Sequence, residues 1–198
     1  MSNNNQTHQY FKIFKPFGFL SQFLPETRKK KYLLGELYNF PSKTMAIGRL
    51  DHDSEGLLLL TTDGITSHKV RSKDIEKEYY VQVDGAITEK AMSILQNGVE
   101  IGINGTKYKT LPCKVLKLDS EPQLPNRGKK IRDFRHGSTS WISITLCEGK
   151  KRQIRKMTAA VGFPTLRLVR IRIGNIHIDS MIAGEVVTLS NFDAAFTC

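Results

Sequence analysis

The stretch GRLDHDSEGLLLLTTDG, residues 48–64, most narrows what this chain can fold into. Its apolar run from Leu57 to Leu60 is bounded by Gly56 and by the turn pair Asp63-Gly64, which suits a short buried strand. Directly before that run stand Arg49, Asp51, Asp53 and Glu55. Buried charge is costly unless it is paired or used. The stretch is therefore either a solvated turn ahead of a strand or a place where one carboxylate is held at a cleft for chemistry, with Arg49 beside it to hold its charge. A calcium loop is excluded. Asp51, Asp53, Glu55 and Gly56 imitate the start of an EF-hand, but the closing position is Thr62 rather than Glu and the leucines interrupt the loop.

The rest of the chain supplies more strands than helices. Residues 10–14 form an aromatic-rich strand stopped by Lys15-Pro16-Phe17-Gly18, and residues 28–31 are a basic run that reads as a loop. Residues 32–38 suit a short helix ending before Pro41, and residues 66–71 another. EKEYYVQVD, residues 76–84, alternates cleanly, with Tyr79, Val81 and Val83 on one face, as a half-buried strand does. Thr88 is placed to cap a helix ending at Asn97-Gly98. Residues 99–103, 106–110 and 113–118 read as strands of a meander, and residues 121–137, rich in Pro, Gly and cations, as a loop that orders on its ligand. Residues 141–146 alternate again. Residues 151–161 then switch to helical period with Ile154, Met157, Thr158 and Val161 inward, closed by Gly162 and Pro164. Residues 166–173, 176–178 and 186–189 complete the strands. The pattern predicts an α+β fold on a largely antiparallel sheet.

At 198 residues the chain makes one large domain or two small lobes. Residues 1–9 read as a short disordered tail without the basic and apolar regions of a secretory signal, leaving 10–192 as the folded domain. No apolar run approaches the roughly 18 residues of a membrane span. Three widely spaced cysteines, Cys113, Cys147 and Cys198, form neither a disulfide framework nor a metal-binding pair, which points to a reducing, cytoplasmic compartment.

Between Arg127 and Arg172 lie thirteen Lys or Arg against two acids, a net charge of +11 that equals that of the whole chain. A basic surface so focused fits a polyanion, most simply a nucleic acid; a solvated face is the plain alternative. CEGKKRQIRKM, residues 147–157, follows a strand and opens a helix. It gathers Lys150, Lys151 and Arg152 at the helix start, where free N–H groups favour phosphate, with Arg155 one turn on. An Arg anchored there can reach a carboxylate in a cleft and keep it ionised.

These segments together resemble a known family. GRLDHDSEGLLLLTTDG resembles the catalytic motif of the pseudouridine synthases of the ribosomal small-subunit synthase A type, EKEYYVQVDG their Lys/Arg-x-Tyr motif, and CEGKKRQIRKM their motif built on EG, RQ and RKM. YFKIFKPFGFLSQF, residues 10–23, resembles their NKP-x-G strand with Phe14 in place of Asn. The likeness extends from about residue 10 to residue 189. Residues 139–174 are most similar to the large-subunit synthase E group, which lacks the S4 RNA-binding module of most relatives. About nine residues precede the first strand here, too few for that module. His52 stands where Arg is common and Lys151 where Asn is common.

The resemblance implies the pseudouridine synthase catalytic fold, a mainly antiparallel mixed sheet in two lobes around an RNA-binding cleft. It implies isomerisation of one uridine of large-subunit (23S) rRNA, free or in an assembling particle, by a cytoplasmic monomer that uses no cofactor and no metal. Asp51 matches the catalytic aspartate, acting at C1′ or on the 2′ proton. Tyr79 matches the residue that stacks on the flipped uracil. Arg155 is expected to pair with Asp51. Arg49, His52, Lys150, Lys151 and Arg152 are expected to contact the substrate, and Asp53 and Glu55 to be loop residues. A non-catalytic RNA-binding protein and a two-carboxylate glycosidase are the other classes the residues allow, and the basic window disfavours the second.

Overall fold

A computed structural model describes residues 7–25, 31–71, 75–131 and 134–196. The basic run at 28–31 is described only at Lys31, and the first six residues of the expected tail lie outside the described residues. Gln9, the last residue of that tail, exchanges hydrogen bonds with Thr62 at the end of the leucine strand.

Among the described residues, eleven strands and three α-helices follow one another as β1 (Tyr10–Lys15), β2 (Met45–Ala46), β3 (Glu55–Thr61), α1 (Gly64–Val70), β4 (Lys77–Asp84), α2 (Glu89–Gln96), β5 (Glu100–Ile103), β6 (Thr106–Lys109), β7 (Lys114–Lys117), β8 (Thr139–Leu146), α3 (Gln153–Ala160), β9 (Thr165–Ile173), β10 (Ile176–His177) and β11 (Val186–Leu189). The main sheet runs β11-β1-β3-β9-β4-β8-β7, with β2 on β3 and β10 on β9. All its pairs are antiparallel except β3 with β9, which is the α+β, mainly antiparallel mixed sheet expected.

The leucine run explains itself at the centre of this sheet. Every residue of β3 is buried. Leu57 and Leu59 enter one core with Phe14, Val169 and Ile171, while Leu58 and Leu60 enter another with Phe11, Ile13 and Leu50. A strand covered on both faces has no wet side to mark by alternation. A third core lies across β4, β8, α2 and α3 and includes Val81, Val83, Ile142, Ile144, Ile154 and Met157. Tyr79 packs against this core and against the Leu58–Leu60 core, where the two meet.

Two local readings change. Residues 32–38 hold only a single 3-10 turn at Leu34–Glu36, whose short run contains the poor helix former Gly35. The expected meander divides. β5 and β6 form a separate hairpin around Asn104-Gly105, both at positive φ as a two-residue hairpin turn requires. β7 instead pairs with β8 at the edge of the main sheet. In the segment after it, Leu124 packs on the core and Arg167 donates to the Pro125 carbonyl at 2.7 Å.

Candidate active site

Residues 51–54 close a tight turn, with the Ser54 amide donating to the Asp51 carbonyl at 3.0 Å. Three outside contacts hold this turn on the end of β3. Buried Ser21 donates through its hydroxyl to the Leu50 carbonyl at 2.8 Å and accepts from the Leu50 amide at 2.9 Å. The Gly18 amide donates to the His52 carbonyl at 2.9 Å. Arg155 Nη2 donates to the Asp53 carbonyl at 2.7 Å and to Ser54 Oγ at 3.2 Å. Lys15 lies beneath with no exposed surface, its Nζ donating to the carbonyls of Pro16 and Phe19 at 2.9 and 2.8 Å. Burial pushes its amine down to about 7, against the pull of Glu55, Asp53 and Asp51.

Asp51 opens into a cavity of about 760 Å³ whose lining also includes Arg49, Ser54, Tyr79, Tyr108, Lys150, Lys151, Arg152, Leu168 and Arg170. Six of the expected site residues, Arg49, Asp51, Tyr79, Lys150, Lys151 and Arg152, therefore share one space large enough for a nucleotide. Arg155 stands behind the turn and His52 on its outer side, neither on that wall. His52 is exposed, its ring 6.1 Å from that of Phe17. Burial, with the charges of Lys31 and Lys15, holds its imidazole below the ordinary value.

Two expectations are corrected here. Arg155 does not pair with Asp51: its Nε lies 3.6 Å from Asp53 Oδ2, and among the described residues the cation at ion-pair distance from Asp51 is Arg152, whose Nη1 is 3.7 Å from Oδ2. The reason is the turn itself, which sends Asp53 back towards α3 while Asp51 faces the cavity. Arg152 also binds Asp53 through both carboxylate oxygens, at 2.9 and 3.0 Å. Burial raises the Asp53 carboxyl, but the hydrogen bond from Arg152 and the charges of Arg155 and Arg152 outweigh it and hold it below the usual range. Arg152 caps α3 in the left-handed region at φ 54, an unfavourable conformation for a side-chain-bearing residue and one that aims its guanidinium across the cleft.

Glu55 is not a loop residue. It begins β3, is 1% exposed, and accepts from Arg167 Nε and Nη2 at 3.1 and 2.8 Å. Arg127 Nε stands 3.2 Å away, and its guanidinium covers the Phe17 ring at 4.1 Å. The basic window is correspondingly less of a surface than its sequence suggests. Arg127, Arg152, Arg155, Arg167 and Arg172 face Asp53, Glu55, Glu76 and Glu78 from other parts of the chain.

Other residues of the site were not singled out from the sequence. Glu148, 5% exposed, accepts from the Tyr108 hydroxyl, the Leu111 amide and Gln153 Nε2, and so binds the β5–β6 hairpin to the start of α3. Arg170, 5% exposed, donates from Nε to the Leu57 carbonyl at 2.7 Å and sits 6.0 Å from the Tyr79 ring. Both stand inside segments whose pattern was visible, yet nothing local marks a Glu or an Arg as buried.

A carboxylate, a half-buried tyrosine and several cations around one cavity suit a reaction on a nucleotide extracted from an RNA. Comparison with known proteins agrees. The family model for RNA pseudouridylate synthase matches residues 9–160. Ribosomal large subunit pseudouridine synthase E of Xanthomonas axonopodis pv. citri (strain 306) is 42% identical over 170 residues, 84% of this chain and 86% of the relative. The protein of the same description from Vibrio vulnificus (strain CMCP6) is 43% identical over 176 residues, 86% of this chain and 70% of the relative. A solved structure described as a pseudouridylate synthase superposes with a TM-score of 0.74 at 28% identity, covering 94% of this chain and 72% of that one. On the extent of these matches the chain belongs to the RNA pseudouridylate synthase family, enzymes that isomerise uridine in RNA.

Proposed function

We propose that this enzyme converts one uridine of large-subunit (23S) rRNA to pseudouridine, with Asp51 as its catalytic carboxylate. The juxtaposition of Asp51 and Tyr79 in one cavity, with Arg152 Nη1 at 3.7 Å from the carboxylate, is the observation that carries this reading. The names of the synthase E relatives supply the choice of rRNA.

In the proposed reaction the N1–C1′ bond of the target breaks, the uracil turns, and C5 bonds to C1′. The C5 proton is lost and N1 gains one, so substrate and product are isomers and nothing is oxidised or reduced. Asp51 either attacks C1′ or takes the 2′ proton. Tyr79 stacks on the uracil and helps remove the C5 proton. Arg152 faces the Asp51 carboxylate in the waiting enzyme, and Arg155 acts one step back by holding the Asp53–Ser54 backbone. Arg49, His52, Lys150, Lys151 and Arg152 offset, through RNA phosphates, the few kcal/mol that extracting a base from its stack costs. The enzyme works as a cytoplasmic monomer whose folded domain is residues 10–192, and these steps call on no cofactor.

The test is to map pseudouridine by carbodiimide labelling and primer extension in unmodified large-subunit rRNA and in precursor particles, after incubation with wild type or Asp51→Asn. The expected result is one new stop that the variant fails to make while still binding RNA. A stop made equally well by Asp51→Asn would overturn the assignment of Asp51. No stop in either substrate would overturn the choice of large-subunit rRNA.

A further inference from the structure

An aromatic pair on the outer side of the catalytic turn takes no part in any of these steps. Phe19 and Tyr32 are stacked, their ring centroids 5.1 Å apart and their planes within 22°. Phe19 is half-buried, whereas Tyr32 is 58% exposed, so one face of its ring is covered by Phe19 and the rest is presented to solvent. The backbone fixes this display. Phe19 and Tyr32 form a parallel bridge, and the Leu20 amide donates to the Tyr32 carbonyl at 2.9 Å.

The pair is tied to the catalytic turn by two short links. Buried Lys15 donates to the Phe19 carbonyl, and Gly18, one residue earlier, donates to the carbonyl of His52, next to Asp51. Cations stand close to it along the chain and over the neighbouring Phe17 ring. Exposed Lys31 precedes Tyr32 and is close enough for its charge to act on His52. Lys129 and Arg127 lie over Phe17 at 5.3 and 4.1 Å, two residues from Phe19. An open aromatic face among cations is the arrangement by which proteins hold unpaired bases, the ring taking the base and the cations its phosphates.

We propose that Tyr32, backed by Phe19, is a stacking subsite for an unpaired base of the RNA, a nucleotide flanking the one that enters the cavity. The subsite rests on the reading of the protein as an RNA-modifying enzyme for its ligand class, and its position implies that the substrate is locally opened beyond the target uridine. Tyr32 anchors the neighbouring base while the target turns towards Asp51. It is a binding residue and touches none of the reacting atoms.

The experiment measures binding, by fluorescence anisotropy at low salt, to a labelled uridine dodecamer and to a dodecamer of the same ribose-phosphate backbone without bases. Wild type, Tyr32→Ala and Tyr32→Phe are compared, with thermal melting as the check on folding. Tyr32→Ala is expected to weaken binding of the uridine oligomer by roughly tenfold, to leave the baseless oligomer unchanged, and to regain its affinity in Tyr32→Phe. Equal affinity of wild type and Tyr32→Ala for the uridine oligomer overturns the subsite and leaves the ring to a protein partner. An equal loss on both oligomers overturns it in favour of a backbone contact or a folding defect, and a Phe variant as weak as Ala assigns the effect to the hydroxyl. Failure of wild type to bind either oligomer also overturns the subsite, whereas rRNA mapping decides the function independently.

Discussion

Arg152 holds Asp53 in two parallel hydrogen bonds of 2.9 and 3.0 Å, and the same guanidinium reaches to 3.7 Å from Asp51. The planar fork of arginine matches a carboxylate in a way a lysine ammonium does not. Arg152→Lys is therefore expected to lose most of the activity that Arg152→Ala loses, about tenfold or more in single-turnover pseudouridine formation, as for other residues that position a reacting group. Both side chains are more than a third exposed, so the urea midpoint is expected to change by less than the equivalent of about 1 kcal/mol. Because the Asp53 carboxyl sits below its unfolded value, its contribution to stability is present above pH ~4 and is lost as pH falls through the folded value.

Glu55 faces two arginines from inside the sheet, with 2% of its side chain exposed. Glu55→Gln removes the negative charge of that contact and leaves two cations poorly solvated. Stability is expected to fall by about 3–5 kcal/mol in denaturant unfolding. Arg127→Met is expected to cost less than either Glu55→Gln or Arg167→Met, since the bidentate Arg167 contact survives it.

Lys15 makes stability depend on pH in a defined direction. Its amine titrates near 7 in the folded protein and near 10.4 when unfolded, so between these values the unfolded chain binds more protons. Stability of the wild type relative to Lys15→Met is therefore expected to rise with pH across that window, by up to about 1.4 kcal/mol per unit. Urea unfolding of both proteins at pH 6, 8 and 9.5 checks the sign; a difference that is flat or falls contradicts it.

Gly56 is where β3 enters the sheet beside β9. Its φ is +100, and a Cβ there would lie 2.2 Å from the Arg170 carbonyl oxygen and 2.8 Å from its amide nitrogen. Neither backbone atom can move without breaking the parallel pairing of Gly56 with Arg170. Gly56→Ala is expected to give a protein that is insoluble or lacks a cooperative thermal transition, whereas Gly64→Ala, with open space at its Cβ, is expected to melt like wild type.

Tyr79 separates stacking from proton transfer. Tyr79→Phe keeps the ring and loses the hydroxyl, and is expected to slow isomerisation by about 10²-fold, the scale of one general acid–base group, with RNA affinity unchanged. Tyr79→Leu is expected to weaken both. Equal rates for Phe and wild type in single-turnover assays would remove the hydroxyl from the reaction.

The sequence by itself determined the strands other than β2, most of the helices and the motifs whose residues line the cavity with Asp51. Those depend on local period, capping and turn residues, such as the alternation before Val83, the Thr88 cap and the Asp63-Gly64 turn, and these act over a few residues. The three motifs likewise kept their identity when the fold brought them to one cavity. Tertiary structure alone decided which charge meets which. Arg155 turned out to serve Asp53 and the turn's backbone, Glu55 to be buried between Arg167 and Arg127, and much of the basic window to be matched by acids far away in the chain. An ion pair across 112 residues of separation leaves no periodic trace, because it depends on which strands become neighbours and which face each side chain takes. The same holds for the split of the expected meander, where the neighbour available to β7 was β8, and for the stacking of Tyr32 on Phe19, which only the parallel bridge between their segments brings together.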